Sequence, residues 1–213
     1  MDKKSRKRIV FIGDSITDVK FNKRTKHLKA KKAYPVQVIE QLNINDKIYY
    51  PFYKGIASNR SWHVYDRFTA DCISLNPDIV VLFIGVNDAW TIYKKEDYVN
   101  FPNMFDRPFE AHFDELIRRL TMELKNARVI LMTPFVIDTI AEKLPFKQYL
   151  KPYCEYIISK AKEVGYEYIE LQPVIEEAQK QYAPVELSVD GIHPTTLGHS
   201  FIAKSVLEKI KNM

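Results

Sequence analysis

The 213-residue chain has only two cysteines, Cys72 and Cys154, and no long apolar run. Two thiols so far apart in sequence cannot build a disulfide framework or a cysteine metal cluster, and both are expected to be reduced structural thiols. A bilayer-spanning helix needs about 20 consecutive apolar residues, and no segment approaches that length. The basic start, "MDKKSRKRIVFIGDS", leads only into the short stretch Ile9 to Ile12, too short for a secretion signal, so a cytoplasmic location is expected. Internal repeats, low-complexity tracts and linkers are also lacking. The five histidines form no compact ligand motif with the cysteines, so neither a metal nor another cofactor is expected. What remains, 46% hydrophobic and 28% charged, is the composition of an ordinary globular domain. The length suits a single domain, residues 1–213, with a full core.

Charge is unevenly placed. Residues 1–32 hold twelve Lys or Arg against three acids, while the rest of the chain holds 20 against 24. Most of the excess lies in "KFNKRTKHLKAKK", residues 20–32. This segment reads as a solvated loop in preference to a nucleic-acid-binding arm, because no nucleic-acid-binding motif accompanies it. A flank that attracts anionic substrates to a pocket is a third reading.

Along the chain, strands alternate with helices. Strand patterns at 9–12, 47–55, 79–84, 128–135 and 166–171 are separated by helical patterns at 33–42, 61–75, 109–127 and 146–165. Two further helices are expected near 173–182 and 195–211. The helix at 146–165 is expected to run on despite Pro152. Such alternation predicts an α/β fold, a three-layer α/β/α sandwich around a mostly parallel sheet of about five strands. Ligands of such sheets sit beyond the carboxyl ends of the strands.

Three short blocks fall at those ends. "GDSITD" (13–18) follows the first strand, "KGIASN" (54–59) closes the second and "GVND" (85–88) follows the third. The first block alone reads as an ordinary strand–turn–helix junction, with Ser15 and Asp18 at capping-box spacing. A serine used for chemistry needs a base and an orienting acid. "VDGIHPT" (189–195) carries Asp190 and His193 three residues apart, just before the last helix, with Pro194 near its start. Alone, that pair is a common polar loop. Its weight comes from joining the other three blocks.

The four blocks resemble, in content and order, those of the SGNH or GDSL-type hydrolase family, and they extend over essentially the whole chain. The resemblance implies a flavodoxin-like α/β/α fold and metal-free hydrolysis of esters, thioesters or acetylated sugars. It further implies Ser15 as nucleophile, His193 as general base and then acid, and Asp190 as its orienting partner. The oxyanion hole would combine the amides of Ser15 and Gly55 with the Asn87 side chain. Asp14 and Asp88 would bond loop backbone nearby. One departure stands out: many relatives carry a second glycine after the oxyanion glycine, where this chain has Ser58 followed by Asn59.

Within the family, "PDIVVLFIGVNDAW", "MTPF" and "DGIHPTTLGH" look most like acetyl esterases that deacetylate xylan-derived sugars. Trp90, two residues past the GVND block, either stacks on a sugar ring or packs as a core aromatic. Trp62 is expected to pack a helix. The expected partner is a small acyl ester such as an acetylated sugar, with no nucleic acid and no membrane span; a homo-oligomer is compatible with the sequence. Two alternatives are a lysophospholipase or thioesterase using the same machinery, and an anionic-polymer-binding protein with a vestigial triad.

Overall fold

The apolar run Ile9–Ile12 forms the interior of β1 (Lys7–Gly13), whose last five residues are all buried. Position in the sheet explains this. In the computed structural model, which describes residues 6–25, 32–44, 48–95 and 107–212, β1 lies between β2 (Tyr49–Gly55) and β3 (Ile79–Phe83). Beyond β3 follow β4 (Arg128–Met132) and β5 (Glu167–Ile169), giving the order β2-β1-β3-β4-β5 with every pair parallel. Parallel neighbours require crossovers that cover both sheet faces, so central strands read as unbroken apolar runs. All five residues of β3 are buried. The edge strand β2 is only partly buried and carries Pro51, whose missing N–H belongs on an open edge.

Successive side chains of a strand point to opposite faces. Ile9, Phe11 and Val81 meet α2 (Tyr34–Leu42), α7 (Leu171–Gln179) and α9 (Thr196–Asn212) on one side. Val10, Ile12 and Leu82 meet α3 (Ser61–Asp71), α5 (Phe109–Glu123) and α6 (Phe146–Val164) on the other. The result is the expected three-layer α/β/α sandwich, and α6 does run through Pro152. Cys72 is buried and Cys154 partly so, and both thiols are free. Among the described residues, no helix is long and apolar enough to cross a membrane.

The differences from expectation lie at the strand ends. No helix starts at Ser15: residues 14–17 form a turn closed by Asp18 N–H donating to the Asp14 carbonyl at 3.0 Å. The helix α1 (Val19–Arg24) begins later, capped by Asp18 Oδ1, which accepts from Lys20 N and Phe21 N at 2.8 and 2.9 Å. Part of the basic segment read as loop is therefore helical, and residues 26–31 lie outside the described residues. "GVND" opens a helix that the sequence patterns did not include. After Gly85 it becomes the first turn of α4 (Val86–Tyr93), which buries Val86 and Ala89. The short helix α8 (Pro184–Leu187), also unforeseen, precedes the Asp190 loop.

Candidate active site

The turn after β1 holds Ser15 at the carboxyl end of the sheet. Asp14 Oδ1 accepts the Ile16 amide at 3.0 Å, which fixes the turn around the serine. Ser15 Oγ lies 2.9 Å from His193 Nε2. On the other side of the imidazole, Nδ1 is 2.7 Å from Asp190 Oδ2. A carboxylate accepts, so Nδ1 carries the ring hydrogen and Nε2 is left to accept the serine proton.

The loop carrying Asp190 and His193 is tightly bonded. Asp190 Oδ1 accepts the amides of Ile192 and His193 at 2.9 and 2.8 Å. Burial acts to raise the Asp190 carboxyl, but the His193 ring and these two amides outweigh it and hold the group well below the usual carboxylate range. Ser188 Oγ receives the Gly191 amide and donates to the His193 carbonyl at 2.8 Å. Gly191 has φ +81°, a left-handed conformation that lets the chain reverse between the acid and the base. The Lys143 ammonium donates to the Asp190 carbonyl, and Ile137 N–H donates to the Gly191 carbonyl at 2.8 Å. Phe21 of α1 places its ring centroid 5.3 Å from that of His193. No sequence motif marked Phe21, because the charge around it dominated the segment.

Consecutive residues of α4 grip the loop after β2. Asn87 Nδ2 donates to the Asn59 carbonyl at 3.0 Å. Asp88 accepts from the Ser61 amide at 3.1 Å and the Ser61 hydroxyl at 2.7 Å, capping α3. Asp14 thus bonds loop backbone, as the sequence reading expects, whereas Asp88 bonds the first residue of α3. Burial raises their carboxyls to about 7 and about 6 respectively. Asp14 Oδ2 is buried with no hydrogen-bond partner among the described residues.

Gly55 stands differently from the others. A Cβ at Gly55 would lie 2.2 Å from Asp18 N and 2.3 Å from Thr17 C, so glycine is required because the serine turn rests on it. Its amide, however, does not point towards Ser15. Gly13 pairs with Gly55 in register, and the Gly13 carbonyl accepts from Ile56 N at 3.1 Å. In a parallel ladder, alternate residues bond to a given neighbour, so Gly55 N–H faces the open edge of β2. The following residues, Ile56 to Asn59, form a turn closed by Asn59 N–H donating to the Ile56 carbonyl at 3.2 Å. Ser58 occupies it with φ +65°. Among the described residues, the amides of Ala57 and Ser58 meet no acceptor.

Trp90 lies on α4, with its ring against Phe146 at 5.0 Å and Tyr93 at 5.4 Å, and Lys143 Nζ is 5.7 Å from the ring centre. It shares a cluster with Ile192 of the Asp190 loop. The Trp90 side chain is partly buried against this cluster. Trp62 stacks on His63 at 3.4 Å, with the Arg107 guanidinium 4.3 Å from its ring.

A serine hydroxyl aimed at an imidazole that a carboxylate orients, at the carboxyl end of a parallel sheet, defines the class of serine hydrolases. The chain belongs to the GDSL-like Lipase/Acylhydrolase family, which it matches over residues 11–201. It is 29% identical over 160 residues to an acetylxylan esterase of Geobacillus stearothermophilus, covering 74% of this chain and 70% of that protein. The crystal structure of an acetylxylan esterase from Geobacillus stearothermophilus superposes with a TM-score of 0.79 at 28% identity, covering 99% of this chain and 96% of that one. An alpha/beta hydrolase from the metagenome of Lake Arreo, Spain, superposes at 0.75 with 25% identity, over 96% of this chain and 94% of that one. The protein is an enzyme that hydrolyses small acyl esters through a serine- and histidine-containing site.

Proposed function

We propose that Ser15, His193 and Asp190 are the catalytic residues and that the substrate is an acetyl ester on a small carbohydrate. The observation that carries the roles is the unbroken chain Ser15 Oγ–His193 Nε2 at 2.9 Å and His193 Nδ1–Asp190 Oδ2 at 2.7 Å. Ser15 Oγ attacks the acyl carbon while its proton moves to His193 Nε2, and Asp190 stabilises the imidazolium. The imidazolium then protonates the departing sugar oxygen. Water, deprotonated by the same nitrogen, releases the acid from the serine ester.

The acyl oxygen, negatively charged in each tetrahedral intermediate, needs aimed donors. Asn87 Nδ2 and the Ser15 amide are two. The expectation of a third at Gly55 passes to the turn that follows. Asn87 touches that turn at Asn59, and the adjacent Ser58 amide is uncommitted among the described residues.

The substrate class rests on the acetylxylan esterases described above. Activity on a panel of acetylated xylo-oligosaccharides, together with a chain-length series of p-nitrophenyl esters, tests it. Deacetylation with acetate preferred over longer chains is expected; preference for octanoate or longer would replace this substrate class with a lipid or thioester. Ser15→Ala tests the roles. It should remove nearly all turnover with circular dichroism unchanged, and full activity in a folded variant would remove Ser15 from the mechanism.

A further inference from the structure

The hydrogen bonds around these strand ends converge on a residue outside all four sequence blocks. Arg67, on the second turn of α3, spreads its guanidinium across the carboxyl end of the β1–β2 ladder. One terminal nitrogen donates to the Lys54 carbonyl at 2.9 Å and to Asp71 Oδ2 at 2.8 Å. The other donates to the Gly13 carbonyl at 2.9 Å, two residues before Ser15. Nε donates to Asn59 Oδ1 at 2.9 Å. Asn59, in turn, receives Asn87 Nδ2 on its backbone carbonyl at 3.0 Å.

We propose that Arg67, acting through Asn59, is the residue that positions the oxyanion hole of this enzyme. The inference rests on the catalytic reading given above and goes beyond it. Each donor assigned there is linked to this one side chain: the Ser15 turn through Gly13, the Ser58 turn through Asn59 Oδ1, and Asn87 through the Asn59 carbonyl. The need for such a tie is visible in the backbone. Ser58 holds φ +65° without being glycine, a conformation that persists only where surroundings impose it. Asp71 holds the guanidinium in place. Burial acts to raise the Asp71 carboxyl, but hydrogen bonds from Lys54 and Arg67 prevail and lower it, so it stays charged.

The fork geometry is essential. A planar guanidinium offers five N–H donors in fixed directions, and here it meets four acceptors that lie on three separate segments. A lysine ammonium at the same place cannot reach all of them. Arg67 does not touch the reacting atoms; it is a positioning residue, and its loss misaims donors without removing any of them. Misplacement by about 1 Å costs about 100-fold in rate.

The test compares Arg67→Ala, Arg67→Lys and Asn59→Ala with wild type on p-nitrophenyl acetate, alongside melting temperatures. Arg67→Ala should lower kcat by between about 10- and 100-fold, with KM changed by less than about three-fold, because the donors act chiefly in the transition state. Arg67→Lys should recover little of that loss, whereas millimolar guanidinium ion should restore part of the activity of Arg67→Ala. Asn59→Ala removes one acceptor and keeps the backbone carbonyl, so it decides the matter if Arg67→Ala does not fold; its kcat should fall about 10-fold. Folded Arg67→Ala or Asn59→Ala with wild-type kcat, or a loss confined to KM, would overturn the proposal. Ser15→Ala in the same assay separates the two readings. Activity retained there defeats the catalytic assignment itself, whereas an inactive Ser15→Ala beside fully active Arg67 and Asn59 variants defeats only the positioning role.

Discussion

Asn87 Nδ2 and the Asn59 carbonyl are joined at 3.0 Å across the gap between α4 and the loop after β2. A side-chain amide has two hydrogens on that nitrogen. One is spent on Asn59, and this fixes the plane of the group; the other meets no acceptor among the described residues and is the one proposed to face the oxyanion. The bond also distinguishes nitrogen from oxygen in the Asn87 side chain, because only the nitrogen can donate to a carbonyl.

Asn87→Ala should therefore lower kcat and kcat/KM together by roughly 10²–10³, with KM little changed. Asn87→Asp should be at least as damaging. Its carboxylate would face the Asn59 carbonyl and the developing oxyanion with negative charge. Steady-state kinetics beside melting temperatures decide the point: normal kcat in a destabilised Asn87→Ala protein would reduce the residue to a loop tie.

Ser58 makes a prediction about strain. A non-glycine residue at φ +65° sits where its Cβ crowds the backbone, at a cost of roughly 1–2 kcal/mol, of which glycine's extra unfolded-state freedom offsets part. Ser58→Gly should raise the melting temperature by about 1–4 °C. Ser58→Val, branched at Cβ, should lower it and reduce kcat as the turn opens. Equal melting temperatures for both variants would mean that the turn carries no such strain.

Asp190 has a different dependence. Its Oδ2 fixes the hydrogen of the imidazole on Nδ1, 2.7 Å away. Asp190→Asn keeps the shape but can present a donor to Nδ1, so the ring hydrogen moves to Nε2 and points at Ser15 instead of accepting from it. By analogy with Ser-His-Asp enzymes, kcat should fall about 10⁴-fold with the fold retained. A loss of less than ten-fold, measured on folded protein, would mean that another group orients His193.

The sequence carried the order of layers because buried parallel strands must be apolar, and β1 and β3 are buried on both faces. It carried Ser15, Asp190 and His193 because their chemistry limits the residue types available. It did not carry the start of α1 or the existence of α4, since both depend on which side chain caps or packs a helix of under nine residues. Gly55 was legible as a required glycine, but for the wrong reason. Its missing Cβ makes room for the Thr17–Asp18 backbone, while the direction of its amide follows from strand register, which local sequence does not encode. Arg67 was invisible for a related reason: an arginine on a helix reads as surface charge until the fold brings Gly13, Lys54 and Asn59 around it.

Asp14 offers a prediction in pH. Its side chain is fully buried next to Ser15, Oδ1 takes the Ile16 amide, and Oδ2 has no hydrogen-bond partner among the described residues. Burial is the largest cause that lifts its carboxyl from 3.8 to about 7, with Asp88 adding to the shift and His193 and the Ile16 amide opposing it. Between about pH 4 and pH 7 the folded chain keeps a proton at Asp14 that the unfolded chain has released. Stability from this group therefore falls as pH rises through that window, by up to an amount on the order of 4 kcal/mol, and is flat on either side. Asp14→Asn cannot titrate. Its Nδ2 would take the place of the unpartnered oxygen with two N–H donors where the protonated carboxyl has one, and the additional unpaired donor carries a pH-independent cost of about 1–3 kcal/mol. The variant should consequently be less stable than wild type near pH 4 and draw level with it or overtake it by pH 8. Asp88 and His199, buried groups whose folded or unfolded forms also titrate within this pH range, are present in both proteins and cancel in the difference to first order. Urea unfolding of the pair from pH 4 to pH 8 measures that difference, and a gap that stays constant across the range would show that Asp14 is ionised in the folded enzyme throughout.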